Sequence, residues 1–171
     1  MTGNAGRNAI TGTFDFGDGY LIAPTYSGAP ALTTDGAIVY SDGVLYAYDG
    51  TRSKWLSVDR TMWWAGRNGS ASNLYLRGPD GLASSSTGYR VLRAGTIVGL
   101  VAQTDTLATW TFEVRRNNVV TAIASLTITA LIGSQDQTIN VDIAQGDEIQ
   151  LYCNGTSIDR PLGAVEIAWR L

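Results

Sequence analysis

The chain reads as an all-β protein, a two-sheet sandwich that follows a small β-meander and an extended N-terminal arm. Three observations predict this. The second half alternates apolar and polar residues with a period of two, Asp-Gly and Asn-Gly pairs recur at the spacing of short strands, and no segment carries a helical stripe of apolar residues. With 171 residues, 44% of them hydrophobic, the chain is one domain with an extension. A domain of that size buries about 70% of the surface its unfolded chain exposes.

Taken in order, residues 1–36 open on Thr2-Gly-Asn-Ala-Gly-Arg-Asn-Ala-Ile10, polar and Gly-rich, which predicts an extended arm that becomes ordered by lying across a neighbour. Five Asp-Gly pairs follow, at 18–19, 35–36, 42–43, 49–50 and 80–81, and Asn-Gly stands at 68–69 and 154–155. Glycine accepts the positive φ that tight turns demand. Between these turns Ala37 to Tyr40, Val44 to Tyr48 and Lys54 to Val58 form a compact meander over residues 37–59. Such a piece has little apolar area of its own and must pack on the main domain or on another subunit. Residues 60–88 read as a loop-rich connector that can contribute strands.

The sandwich is expected over residues 89–171. Thr96 to Ala102 is apolar on both faces apart from Gly99, the pattern of a central buried strand. In Thr109 to Arg115, Trp110, Phe112 and Val114 share one face. Asn117-Asn118 supplies a two-residue hairpin turn, and the next run, Val119 to Thr129, sets Val120, Ala122, Ala124, Leu126 and Ile128 on one side. Ile139 to Ile143 alternates, Gln145-Gly146 breaks it, and Glu148 to Cys153 aligns Ile149, Leu151 and Cys153. In the last run, Ala164 to Arg170, Val165, Ile167 and Trp169 point one way. Regular strands with turns between them fit a jelly roll or an immunoglobulin-like sandwich, and periodicity alone does not choose between the two.

Composition narrows the chemistry. The chain has no His, which removes the commonest general base and imidazole-based zinc sites, and its single Cys cannot form an intrachain disulfide. That usage suits a reducing compartment such as a cytoplasm. No 18-residue apolar run and no charged start followed by an apolar stretch is present, so neither membrane insertion nor a signal peptide is expected. Five of the twelve Asp precede Gly in turns, and Glu113, Glu148 and Glu166 alternate with inward residues, which points them to solvent or a partner rather than into a paired-carboxylate site. Asp15-Phe-Gly-Asp-Gly19 has two carboxylates on a Gly-rich loop but lacks the remainder of a calcium loop. Cys153 reads as a buried thiol with no imidazole to activate it. No catalytic residue, metal or cofactor is expected.

Charge is low and unevenly placed. Residues 1–59 carry Arg7, Arg52 and Lys54 against six Asp, and residues 101–171 carry four Arg against eight carboxylates. Between them Arg60, Arg67, Arg77, Arg90 and Arg93 face only Asp80. The overall −3 disfavours a nucleic-acid partner, whereas the basic middle, all Arg, reads first as loop charges solvated or paired with the acidic flanks and alternatively as a docking patch for an acidic protein surface. Trp63 and Trp64 are adjacent and must point to opposite faces if extended; the pair reads first as core, and the alternative leaves one of them free to face a ligand or a subunit, while Trp55 closes the meander and Trp110 and Trp169 belong to the core.

Two segments, Asp42-Gly-Val-Leu-Tyr-Ala-Tyr-Asp-Gly-Thr-Arg-Ser-Lys-Trp-Leu-Ser-Val58 and Trp64-Ala-Gly-Arg-Asn-Gly69, resemble small virion proteins of tailed bacteriophages. Gly95-Thr-Ile-Val-Gly-Leu100, Thr111-Phe-Glu-Val-Arg-Arg-Asn117, Gly146-Asp-Glu-Ile-Gln-Leu-Tyr152 and Val165-Glu-Ile-Ala-Trp-Arg170 are similar to viral jelly-roll domains that form trimers. The resemblance spans residues 38–171. It implies a jelly roll, a non-enzymatic role and two possible places in a virion, capsid decoration (cement) or a fibre tip. Only about 60 residues of short β elements precede the sandwich, which favours decoration over a fibre. The implied partners are the major capsid protein and the chain itself as a homotrimer, on the outer capsid surface of a particle assembled in the host cytoplasm. No nucleic acid or membrane is implied, and a host-surface glycan belongs only to the fibre reading. Arg7, Arg60, Trp63, Trp64, Arg67 and Arg77 are the candidate capsid or subunit contacts.

Overall fold

The computed structural model describes residues 25, 27–31, 33–79, 81 and 87–171. The arm up to residue 24, with Arg7 and the Asp15 to Gly19 segment, lies outside the described residues, as do Asp80 and residues 82–86. The described residues are all β, with no helix. The strands are β1 Ile38–Ser41, β2 Val44–Asp49, β3 Lys54–Gly66, β4 Ser70–Ala71, β5 Leu74–Tyr75, β6 Tyr89–Arg90, β7 Gly95–Arg116, β8 Ala122–Asp136, β9 Val141–Ile143, β10 Glu148–Asn154, β11 Ile158–Asp159 and β12 Leu162–Arg170. Ten of them form one antiparallel sheet whose main path is β1-β2-β3-β12-β7-β10-β5, with β8 and β9 on β7 and β6 on β10. Strands β4 and β11 pair separately.

The organising element is β7. The expected strands Thr96 to Ala102 and Thr109 to Arg115 are the two halves of this single 22-residue strand. Its first half pairs with β12 through Gly95 to Gln103, its second with β10 through Thr111 to Arg116, and β8 accompanies both. The β7·β8 register shifts between Gln103 and Ala108, where the Thr104 hydroxyl donates to the Thr106 carbonyl. A bulge bends a strand without breaking it, so one long strand turns the corner that a loop would otherwise make. The sheet therefore curls on itself as a jelly-roll-like β-sandwich. Trp110, Phe112 and Val114 from the second half share one buried cluster with Ile97 and Leu100 from the first and with Val165 and Ile167 from β12. Burying a side chain such as Phe112, fully enclosed here, contributes about 1.5–3 kcal/mol.

Local signals explain the remaining elements. Asn117 and Asn118 adopt φ of 53° and 63°, and Val119 N–H donates to the Arg116 carbonyl at 3.0 Å, closing the expected β7·β8 turn. The expected strand Val119 to Thr129 differs at both ends. Val119 and Val120 lie exposed at the hairpin tip, and β8 runs on to Asp136. Ala130, at φ 52°, interrupts the alternation, so Leu126 and Ile128 are buried while Leu131 and Ile132 are exposed. The meander forms as β1-β2-β3 around Val39, Tyr46, Tyr48 and Trp55. Strand β3 continues past residue 59 to Gly66 along β12, so the first part of the expected connector is sheet.

Glu113 corrects an expectation. Instead of facing solvent it is buried at 8% exposure, because Tyr75 on β5 and Tyr152 and Asn154 on β10 close over that face of β7. Arg115, at 7%, donates from Nε and Nη2 to Glu113 Oε2 at 2.9 and 2.7 Å, and its guanidinium lies 3.3 Å from the Tyr152 ring centroid.

Candidate functional site

Strand β3 positions most of the candidate contacts. Within it Thr61, Trp63 and Ala65 turn toward the sandwich interior, and Arg60, Met62 and Trp64 turn outward, as alternation along a strand requires. The Trp63 ring stacks on Tyr89, centroids 5.1 Å apart and planes at 22°. Trp64 is 48% exposed on the other face.

Trp64, Arg67 and Arg77 come together. They line a groove of about 490 Å³ with Gly66, Asn68 and Gly78. Its two walls are tied by reciprocal backbone hydrogen bonds, Gly66 N–H to Arg77 carbonyl at 2.9 Å and the reverse at 2.8 Å. The Asn68-Gly69 turn, with Gly69 at φ 95°, brings the chain back along this wall. Neither Arg67 nor Arg77 makes an ion pair among the described residues, and Arg67 Nε is buried without a hydrogen-bond partner. Indole face, amide and two guanidinium groups without an ion pair among the described residues form a surface chemically suited to carboxylates or polar ligands.

Trp63 lines a different groove of about 630 Å³, with Thr61, Tyr89, Arg90, Leu92 and Arg93. Arg60 is exposed, its guanidinium donating to the Ser57 carbonyl, and it lines neither groove. The six candidates are therefore divided. One groove takes three, a second takes Trp63, Arg60 stands alone and Arg7 lies outside the described residues. Arg90 and Arg93 were not singled out as contacts in the sequence, although the run of unopposed Arg was the signal that could have found them.

The outer sheet face is apolar near these grooves. Trp64 pairs across Ala164 to Val101, and Met62 stands beside it at 60% exposure. Val58, Ile38 and Tyr40 continue the exposed apolar surface on β1 and β3. The opposite end of β3 is strapped instead. Arg52 donates to the carbonyls of Ile139, Val98 and Gln137, and Lys54 Nζ reaches Asn140 and Asp142 at 2.6 Å. Arg170 meets the same Asp142 at 2.9 Å. Burial opposes ionisation of Asp142, but hydrogen bonds from Lys54 and Thr96 and the charges of Arg170 and Lys54 outweigh it, and its pKa is lowered.

Cys153 is fully buried as expected, and burial, with the Glu113 charge, raises its pKa to about 11. Among the described residues no group of three His, Cys, Asp or Glu could hold a metal ion, and no helix is long and apolar enough to cross a membrane. No family model, curated protein or solved structure matches the chain. The fold and surface together define an all-β sandwich that offers grooves and an exposed apolar sheet face for contact.

Proposed function

We propose that this chain is a capsid decoration (cement) protein of a tailed bacteriophage, bound as a trimer to the outside of the head and acting without catalysis. The observation that carries the reading is the outer sheet face, where Ile38, Tyr40, Val58, Met62, Trp64 and Val101 are all left at least 37% exposed. Large side chains gathered on one face of a well-packed sheet favour a protein partner. The resemblance of residues 42–69 to phage virion proteins points the same way. Beside that face, Arg67 and Arg77, which make no ion pair among the described residues, suit an acidic capsid surface. The mechanism is mechanical: each trimer bridges several capsid subunits, and a partner that binds only the expanded lattice stabilises it by mass action.

The test is quantitative mass spectrometry of purified particles, followed by rebinding of the recombinant chain to emptied, expanded heads. A copy number on the scale of the capsid protein is expected, and absence from particles overturns the reading. Deleting residues 1–20 is expected to lower occupancy on heads. A second reading, a fibre tip that binds host-surface glycan, is favoured by the half-exposed Trp64 indole at the edge of the Arg67–Arg77 groove. It calls for a low copy number and for glycan binding that Trp64→Ala removes.

A further inference from the structure

Strand β3 has one partnered edge and one that is largely open. Toward β12 it is paired from Leu56 to Gly66. On its other edge β2 pairs only as far as Ser57, and the next backbone partner among the described residues is Arg77, opposite Gly66. The hydrogen-bond phase along this stretch follows from its end. Gly66 N–H and carbonyl both bond to Arg77, so they point away from β12, while Arg67 N–H turns back to the Pro161 carbonyl. Backbone groups alternate sides residue by residue in an antiparallel strand. Trp64, Met62 and Arg60 therefore aim their N–H and carbonyl groups at the open edge. The Trp64 carbonyl fits this phase, since it accepts the Tyr89 hydroxyl at 2.7 Å. The N–H and carbonyl of Arg60 and Met62 and the N–H of Trp64 remain without a backbone partner among the described residues.

An unpaired edge is a template for another strand, and proteins that do not use such an edge cover or shorten it. This one is flanked by apolar surface and positive charge. On its inner side the 630 Å³ groove presents Trp63, the 78% exposed Leu92, and Arg90 and Arg93. On its outer side stand Arg60, Met62 and Trp64. Arg93 makes no ion pair among the described residues, Arg90 meets Glu148 only at 3.7 Å, and Asp59 is the one described carboxylate lining the groove. Two such edges from two copies would bring like charges together. The complement is a segment of opposite sign.

We propose that the β3 edge from Arg60 to Trp64 is a strand-addition site for an extended, carboxylate-bearing segment of another protein. The incoming backbone pairs with Arg60, Met62 and Trp64, its apolar side chains lie over Trp63 and Leu92 on the inner side, and its carboxylates stand on the outer side beside Arg60, with the nearby positive charge of Arg90 and Arg93 favouring the same sign. Backbone pairing supplies affinity in this mode and the side chains supply the choice of partner. The site stands on the geometry of β3 and does not depend on the decoration reading.

The probe is a blocked peptide, Asp-Val-Asp-Val-Asp-Val-Asp, with a control in which every Asp is Lys, titrated into the ¹⁵N-labelled full chain. At peptide concentrations up to about 1 mM, where even a weak contact is populated, shifts are expected at the amides of Arg60, Met62 and Trp64 and along Tyr89 to Arg93. Met62→Pro removes an edge-facing N–H while sparing the β12 side, so it is expected to weaken binding about tenfold with the urea midpoint little changed. Should that variant fail to fold, the same loss is expected from the unaltered chain with a peptide N-methylated at alternate residues. Unmoved amides, equal binding of the Lys peptide, or full affinity of the N-methylated peptide overturns the proposal. So does an edge already occupied by a second copy, seen as concentration-dependent shifts of the same amides without peptide.

Discussion

The ring of Phe112, on the second half of β7, lies directly against the backbone of Gly163 on β12. A Cβ placed at residue 163 would stand 2.3 Å from Phe112 Cε2, far inside van der Waals contact. Gly163 pairs with Ala102 and Ala65 within the first layer of the sandwich, so this contact spans the two layers. The close approach depends on a missing side chain, not on an unusual φ. Gly163→Ala is expected to lower the urea midpoint by an amount equivalent to about 1–3 kcal/mol, the usual cost of overpacking. Phe112→Ala is expected to cost about 3–5 kcal/mol. The double variant should be less destabilised than the two losses added, because the smaller residue at 112 makes room for the methyl group. Strict additivity in equilibrium unfolding would contradict the contact.

The Glu113 and Arg115 pair is buried and closed over by two tyrosines and Asn154. Removing one charge leaves the other buried without its partner, so Arg115→Met is expected to cost about 3–5 kcal/mol. Replacing both, as Glu113→Gln with Arg115→Met, should cost clearly less than the single change. Denaturant unfolding of the three chains checks the order.

Asp142, Asp147 and Asp49 all have lowered pKa values. In each, burial opposes the charge and is outweighed by hydrogen bonds and nearby Arg or Lys charges: Lys54, Thr96 and Arg170 for Asp142, Ala144, Asn117 and Arg116 for Asp147, and Arg52 for Asp49. A carboxylate whose folded pKa lies below its ordinary value of 3.8 stabilises fully above that value, and the contribution is lost as pH falls through the folded pKa. Thermal unfolding is therefore expected to respond little to these groups between pH 7 and 5, and to lose stability below about pH 4. Asp142→Asn should reduce the acid dependence while costing under about 1 kcal/mol at neutral pH, since this side chain is 42% exposed.

Cys153 is buried on β10, which pairs with β5 on one edge and β7 on the other, and its pKa is raised to about 11. Alkylation by iodoacetamide at pH 8 is expected to be negligible in the folded chain and complete in denaturant. Its rate under native conditions should follow global opening, so that destabilising Gly163→Ala speeds labelling. Fast labelling of the intact chain would contradict the burial.

Much of this architecture was legible in the chain. Trp110, Phe112 and Val114, or Ile149, Leu151 and Cys153, alternate because a half-buried strand must bury every second residue. Asn117-Asn118 marks its hairpin because Asn tolerates positive φ. The pointing of Trp63 and Trp64 to opposite faces followed from extension alone. Local periodicity has a short reach, however. It reads Thr96 to Ala102 and Thr109 to Arg115 as two strands, because the Gln103 to Ala108 corner breaks the phase, and it points Glu113 outward, because nothing near residue 113 announces Tyr75 and Tyr152.

The amino-acid order by itself determined the β class, the turns, the apolar face of each strand and a basic middle segment. Only the tertiary structure decided that one 22-residue strand joins both layers of the sandwich, that Trp64, Arg67 and Arg77 share a groove while Trp63 and Arg60 do not, and that the β3 edge between Ser57 and Gly66 has no strand beside it among the described residues. The reason is that pairing and juxtaposition are set by contacts between residues tens of positions apart, such as Gly66 with Leu162 or Gly163 with Phe112, which no local repeat encodes.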